Sequence, residues 1–153
     1  MRMVKRKSVA LAIAASILLS GCGLAENYGP IAISVVDGQP VMAICVDDTI
    51  KSIEVLQLGP GADRKDGWVL VWSATGSTPV HSGDVFVLDE LTEGFAKPFS
   101  VESWNFQPGY EYQSRIQFAA NGWFGPVFKV PPSGFGPGKW GTTSGRTESS
   151  PCA

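Results

Sequence analysis

Short apolar runs rich in β-branched and aromatic residues alternate with Gly, Pro, Asn and Asp from residue 31 onward. In the clearest run, residues 110–118, alternate positions separate into two sets. Tyr110, Tyr112, Ile116 and Phe118 form one set, and Glu111, Gln113, Arg115 and Gln117 form the other. A period of two is that of an antiparallel strand with one buried face. Since no segment after residue 22 carries a helical apolar stripe, the pattern predicts an all-β fold.

Seven or eight short strands at this spacing predict a small antiparallel β-sandwich over residues 31–130. An open β-barrel would give a similar pattern and is the alternative. The segment Gly109-Tyr110-Glu111-Tyr112, near a strand start, resembles the tyrosine-corner region of immunoglobulin-like domains. That resemblance implies an immunoglobulin-like arrangement of the two sheets.

Two dipeptides predict hairpins between neighbouring strands. Asp37-Gly38 is a hairpin signal, and we expect the nearby Pro40 to lengthen its loop beyond two residues. Asn121-Gly122 predicts a type I′ turn, which needs a positive φ at both central residues. Residues 75–83, where Ser, Thr, Gly and Pro cluster, are expected to form a loop.

The start of the chain combines basic residues, an apolar run over residues 9–19 and the sequence Leu19-Ser20-Gly21-Cys22. A run of about eleven residues is shorter than the ~20 that a spanning helix needs, so it favours a removable signal. The arrangement resembles the signal peptide and lipobox of bacterial lipoproteins. The resemblance implies a signal peptide over residues 1–21, palmitate or a similar lipid on Cys22 and a short linker over residues 22–30. The alternative is an ordinary secretory signal, with Cys22 incidental.

This reading places the mature protein outside the cytoplasm, on the outer face of the plasma membrane or on the outer membrane. Four of the 12 basic residues and none of the 14 acidic ones precede Cys22, which leaves a net charge of −6 after cleavage. A negative chain without a basic face disfavours nucleic acid and anionic lipid headgroups as partners.

Two cysteines, Cys45 and Cys152, remain if Cys22 carries lipid. In an oxidising compartment they most simply form a disulfide, although two free thiols are the alternative. Residues 131–153 are rich in Pro, Gly, Ser and Thr and cannot build a core of their own. We therefore expect this segment to be an ordered strap if Cys152 is bonded, and a loose tail if it is not.

Few residues suit catalysis. The one histidine, His81, lies in a predicted exposed loop where nothing would orient it as a base. Zinc lacks converging ligands, and the acidic residues within 63–67 are more typical of a turn than of a calcium loop. A carboxylate-dependent hydrolase is a further alternative, and its candidate residues would be two of Asp84, Asp89, Glu90 and Glu93. We predict no enzymatic activity, no metal site and no cofactor.

The aromatic residues point most directly to function. Trp68 and Trp72, with Leu70 between them, are predicted to share one buried face of a strand. Trp123, Phe135 and Trp140 lie in or beside Gly-rich segments and are the candidate ligand-binding residues.

The leading hypothesis is a lipid-anchored protein with a binding or structural role in the cell envelope. It would present its loops, its C-terminal segment or a sheet edge to another envelope protein. The alternative is a receptor domain for a small molecule or a glycan, because exposed aromatic rings can stack on sugar rings.

Overall fold

The computed structural model describes residues 29–91, 93–143 and 147–152. These residues form two antiparallel β-sheets that pack together, and they include one 3-10 turn at Leu88–Glu90 and no α-helix. The predicted β-sandwich is confirmed. The predicted signal peptide (residues 1–21), Cys22 and most of the predicted linker (residues 22–30) lie outside the described residues.

Sheet 1 contains five strands, and the C-terminal segment supplies two of them. They are β1 (Ile31–Val36), β2 (Gln39–Ile44), β5 (Val85–Val87), β10 (Trp140–Gly141) and β11 (Thr147–Glu148). Their order across the sheet is β11-β10-β1-β2-β5.

Sheet 2 contains the longest strands. They are β3 (Asp48–Leu58), β4 (Val69–Val80), β6 (Phe99–Ser100), β7 (Glu111–Phe118), β8 (Gly122–Phe124) and β9 (Val127–Lys129). The order is β6-β4-β3-β7-β8, and β9 pairs with β7 beyond the end of β8. The β1-β2-β5 and β4-β3-β7-β8 orders match the A-B-E and C′-C-F-G strands of an immunoglobulin-like sandwich. The described strands number eleven rather than seven or eight because the return strand is split into β8 and β9 and three strands have only two residues.

The core lies between the two sheets, and alternate side chains of β7 are buried in it, as the sequence pattern predicts. Tyr112, Ile116 and Phe118 are buried, whereas Arg115 is exposed. The Tyr112 hydroxyl donates to the Asn105 carbonyl at 2.8 Å and accepts from the Gln107 N–H at 2.7 Å. A tyrosine near the start of this strand that bonds to backbone a few residues upstream is a tyrosine corner.

Both hairpin turns differ from the sequence expectation. Val36 pairs with Gln39, so the Asp37-Gly38 loop has two residues, and both have a positive φ (51° and 77°). Pro40 lies within β2 and does not lengthen the loop, because the pairing of β2 with β5 begins only at Val41 and no ladder bond is lost.

In the second hairpin, Phe118 pairs with Gly122 across a three-residue loop. Gly122 has a positive φ of 79°, and Asn121 does not. The predicted type I′ turn is therefore wrong: the loop has three residues, and the left-handed glycine is the first residue of the strand that follows it.

Strand β4 also departs from the prediction. It continues to Val80, so most of the predicted 75–83 loop is strand, paired with β3. Val55 pairs with Trp72 and the next residue, Leu56, pairs with Leu70, which marks a bulge at Val71. Because a bulge breaks the alternation, Trp72 and Val71 are buried while Leu70 is 38% exposed, and the predicted Trp-Leu-Trp face is not formed.

The C-terminal segment is a strap on sheet 1. Gly141 of β10 pairs with Ile33, and the Ser34 hydroxyl donates to the Lys139 carbonyl at 2.6 Å. The predicted Cys45–Cys152 disulfide is confirmed, with a Cα–Cα distance of 5.2 Å. The bond fixes the described end of the strap to the residue that follows β2.

Candidate binding surface

The outer face of sheet 2 is the candidate binding surface, and strand alternation decides which side chains reach it. Glu54 of β3 lies between the buried Ile53 and Val55, so it points away from the core. Directly paired residues lie on the same face of a sheet. Arg115 of β7 pairs with Glu54 and Ser73 of β4 pairs with it from the other side, so both point outward as well.

Two neighbouring cross-strand rows form this surface, which we call the platform. The first row is Phe99, Ser73, Glu54 and Arg115, and the second row is Thr75, Ser52, Gln117 and Trp123. A bulge at Lys51 brings Ser52 into the second row, because β7 pairs Phe118 with Ile50 and Gln117 with Ser52.

Exposed aromatic rings occupy both ends of the platform. Trp123 is 61% exposed on β8, and Phe99 is 51% exposed on β6. Four strand spacings separate β6 from β8, which corresponds to about 19 Å at ~4.8 Å per spacing. A single small molecule therefore contacts one ring, and only an extended ligand contacts both.

Between the rings the platform is polar and carries no net charge. Arg115 Nη1 lies 3.8 Å from Glu54 Oε2, and both side chains are about half exposed. An exposed ion pair of this kind contributes roughly 0–1 kcal/mol to stability. Gln117, Ser73 and Thr75 add neutral donors and acceptors, so the centre of the platform suits polar, uncharged groups.

One border of the platform is apolar. Leu70, Leu56, Gln113 and Val127 form the next row. Beyond it, the loop over residues 59–67 folds onto the outer face beside Leu58, and Arg64 donates to both Glu111 carboxylate oxygens at 2.7 and 2.8 Å. The platform is thus open at its aromatic ends and limited by this loop along one side.

Asp48 holds the turn that positions Trp123. Its carboxylate accepts hydrogen bonds from the backbone N–H groups of Thr49, Ala120 and Asn121 and from the Asn121 amide. Burial raises the pKa of Asp48, but these hydrogen bonds outweigh it and lower the pKa to about 2. The β7–β8 turn is therefore tied to the start of β3 by an ionised carboxylate at neutral pH.

The three aromatic residues predicted as ligand-binding residues lie on different parts of the sandwich. Trp123 stands on the platform. Phe135 packs toward the core, beneath Gly141. Trp140 precedes the inward-facing Gly141 on β10 and is half-buried on the outer face of sheet 1.

Sequence reasoning did not find Phe99 or the polar rows. Phe99 lies in β6, which has only two residues, Phe99–Ser100, so it carries no alternation that a sequence pattern could show. The alternation of residues 110–118 did indicate that Arg115 and Gln117 face outward, but it could not identify their cross-strand neighbours.

Three of the four carboxylates considered for a hydrolase, Asp84, Asp89 and Glu90, have separate partners. Asp89 accepts from Trp104 Nε1 at 3.0 Å, and Glu90 accepts from the Gln39 amide at 3.2 Å. The His81 side chain is 80% exposed, in a turn where Asp84 accepts the His81 backbone N–H at 2.8 Å. These contacts organise the ends of β4 and β5.

Within residues 29–91, 93–143 and 147–152, no group of three or more His, Cys, Asp and Glu residues is placed to hold a metal ion. Over the same residues, no helix has the length and hydropathy to cross a membrane. A scan against protein-family models found no match, and neither did searches of curated proteins and of solved structures.

Proposed function

We propose that this protein is a lipid-anchored lipoprotein of the cell envelope with a binding role and no catalytic one. The observation that carries the binding role is the platform, where two exposed aromatic rings flank neutral and charge-paired polar groups. Exposed aromatic residues are enriched at binding surfaces. The domain would hold this surface close to the membrane, since the predicted linker of residues 22–30 spans at most ~30 Å.

Two features support export and anchoring. The Leu19-Ser20-Gly21-Cys22 sequence resembles a lipobox. The Cys45–Cys152 disulfide is typical of oxidising compartments outside the cytoplasm. Cys22 is therefore the cysteine available for lipid, and the membrane is the first partner of the mature protein.

Metabolic labelling with an alkyne-bearing palmitate analogue tests the anchor in bacterial cells that express the full chain. We expect wild type to be labelled and to sediment with membranes, and Cys22→Ala to lose the label and leave the membrane fraction. The matched control is the Cys45→Ser/Cys152→Ser double variant, which should keep the label. A Cys22→Ala protein that is still labelled would refute the anchor.

A photo-reactive amino acid at position 117 tests the binding role in intact cells. Because Gln117 lies beside Trp123 on the platform, we expect an envelope component, either a protein or a glycan, to be captured there. The same reagent at Val85, which is exposed on the outer face of sheet 1, is the control. Equal capture at both positions would count against a platform-specific role.

A further inference from the structure

We infer that the platform binds an extended, uncharged polysaccharide chain that runs across the strands from Phe99 to Trp123. This inference rests on the proposed binding role and adds the class of ligand. It concerns the outer face of sheet 2 alone and does not depend on lipid at Cys22.

The spacing of the rings selects an oligomer. A sugar ring has an apolar face of C–H groups, which packs on the electron-rich face of an aromatic ring. The rings lie on the opposite edge strands β6 and β8, which are about 19 Å apart at ~4.8 Å per strand spacing. A disaccharide covers one ring, whereas a longer chain covers both and gains the second contact with little further loss of translational freedom.

The centre of the platform suits sugar hydroxyls. Gln117, Ser73 and Thr75 offer neutral donors and acceptors, and Glu54 and Arg115 each keep unused hydrogen-bonding positions beside their 3.8 Å contact. Because the charges of Glu54 and Arg115 offset each other, this pair gives an anionic polymer no attraction. The net charge of −6 after residue 21 opposes such a polymer further.

The same arrangement is unlike the centre of a protein–protein interface. Such interfaces place apolar residues in the middle, deplete charge there and surround the core with a polar rim. The platform has the reverse order, with Glu54 and Arg115 near its centre and Phe99 and Trp123 at its ends. A linear glycan matches this order, because each sugar has an apolar face and a polar rim.

The test uses the full-length protein in detergent micelles. The soluble probes are β-1,4-linked hexamers and dimers of N-acetylglucosamine and of glucose. Calorimetry and tryptophan fluorescence measure their binding, and co-sedimentation on insoluble chitin tests binding to the uncharged polymer. We expect binding to at least one of these glycans, at least tenfold tighter for the hexamer than for the dimer. Binding should change less than twofold when salt rises from moderate to high concentration, since no net charge is involved.

Substitutions locate the binding. Trp123→Ala and Phe99→Ala should each weaken hexamer binding about tenfold, which corresponds to about 1.4 kcal/mol. Trp123→Phe should retain most of the affinity, because a ring remains. The matched control is Val85→Ala, an exposed apolar position on the other sheet, which should change nothing. Unchanged urea midpoints for all four variants would show that each is folded.

Any of three binding results would overturn the inference: no binding to any of these glycans, hexamer binding that survives Trp123→Ala/Phe99→Ala, or equal affinity for dimer and hexamer. Capture of a protein, but no glycan, by the photo-reactive group at position 117 would also overturn the ligand class and leave the binding role standing. Labelling of Cys22 is a separate readout, so failure of the anchor and failure of the glycan site are distinguishable.

Discussion

Replacing Tyr112 by phenylalanine is expected to destabilise the domain while keeping the packing of the ring. The ring stays against Phe106, with 4.9 Å between the ring centroids in an edge-to-face arrangement. The hydroxyl loses its bond from the Gln107 N–H and its one donated bond, which the Asn105 carbonyl at 2.8 Å and Gln57 Oε1 at 3.1 Å share. Each such bond contributes ~0.5–1.5 kcal/mol net, so the two together predict a loss of about 1–3 kcal/mol. The loop that leads into β7 should therefore detach more easily from the strand.

Urea unfolding, followed by tryptophan fluorescence, measures this loss. The midpoint should fall while the slope of the free energy of unfolding against urea stays the same, because the area exposed on unfolding is unchanged. Tyr110→Phe is the matched control, since the Tyr110 hydroxyl makes no hydrogen bond within the described part of the chain, and it should cost under ~0.5 kcal/mol. Equal effects of the two substitutions would refute a stabilising role for the tyrosine corner.

The pH dependence gives a second readout of the same hydroxyl. Burial raises the pKa of Tyr112 to about 12, against the lowering effect of the Gln107 N–H. The unfolded chain ionises near pH 10. A folded pKa above the unfolded one means that the stabilisation is present below pH 10 and is lost as the pH rises toward 12. Tyr112→Phe should lack this part of the alkaline loss, and identical alkaline profiles would contradict the assignment.

Three further predictions concern single positions. Ser103 has a φ of 58° in a turn closed by a hydrogen bond from the Trp104 N–H to the Val101 carbonyl. Because glycine adopts a positive φ without the strain of a side chain, Ser103→Gly should raise the free energy of unfolding by about 0.5–1 kcal/mol, and Ser103→Ala should not. Asp48 has a pKa of about 2, so its contribution to stability is present above pH ~4 and is lost as the pH falls toward 2. Urea midpoints measured across that pH range should show this loss for wild type, and Asp48→Asn should lack this part of it. Reducing the disulfide, which joins residues 107 positions apart, should lower stability by at most ~4–5 kcal/mol, and equal urea midpoints with and without reductant would contradict that.

Some of this structure is readable from sequence because it depends on local pattern. The alternation over residues 110–118 identifies β7 and its buried face, since the side-chain period of a strand is fixed at two. The pairing of Cys45 with Cys152 is expected from the even number of cysteines left after Cys22 and from the predicted export. These inferences need no knowledge of which strands are neighbours.

The platform could not be read in the same way, because it depends on cross-strand register. Phe99 and Trp123 are on one face only because β6 pairs with β4 and β8 pairs with β7 at particular residues. The bulge at Val71 illustrates this dependence on register. One extra residue in β4 places Leu70 on the solvent-exposed outer face instead of the predicted buried face. The type of turn could not be predicted from the dipeptide alone either. Asp37-Gly38 and Asn121-Gly122 suit a type I′ turn equally well, so their residues do not show which hairpin forms one.

Deleting single residues from β3 tests whether bulges set this register. Lys51 is the extra residue opposite Gln117 and Phe118, so its deletion leaves Ile50 and Ser52 in a regular ladder with β7, while Gly76 and Ser77 of β4 lose the β3 residue opposite them. Deleting Glu54 instead turns Ile53 or Val55, with the residues beyond it, toward solvent.

Each buried aliphatic side chain that is turned outward costs roughly 1.5–3 kcal/mol, and several would turn at once. We therefore expect the Lys51 deletion to stay folded, with a loss under ~2 kcal/mol, and the Glu54 deletion to give no cooperative urea transition. Circular dichroism and urea unfolding distinguish them. If both deletions were tolerated equally, the register of β3 would be set by its turns rather than by the pattern of buried side chains, and the placement of the platform residues would need another cause.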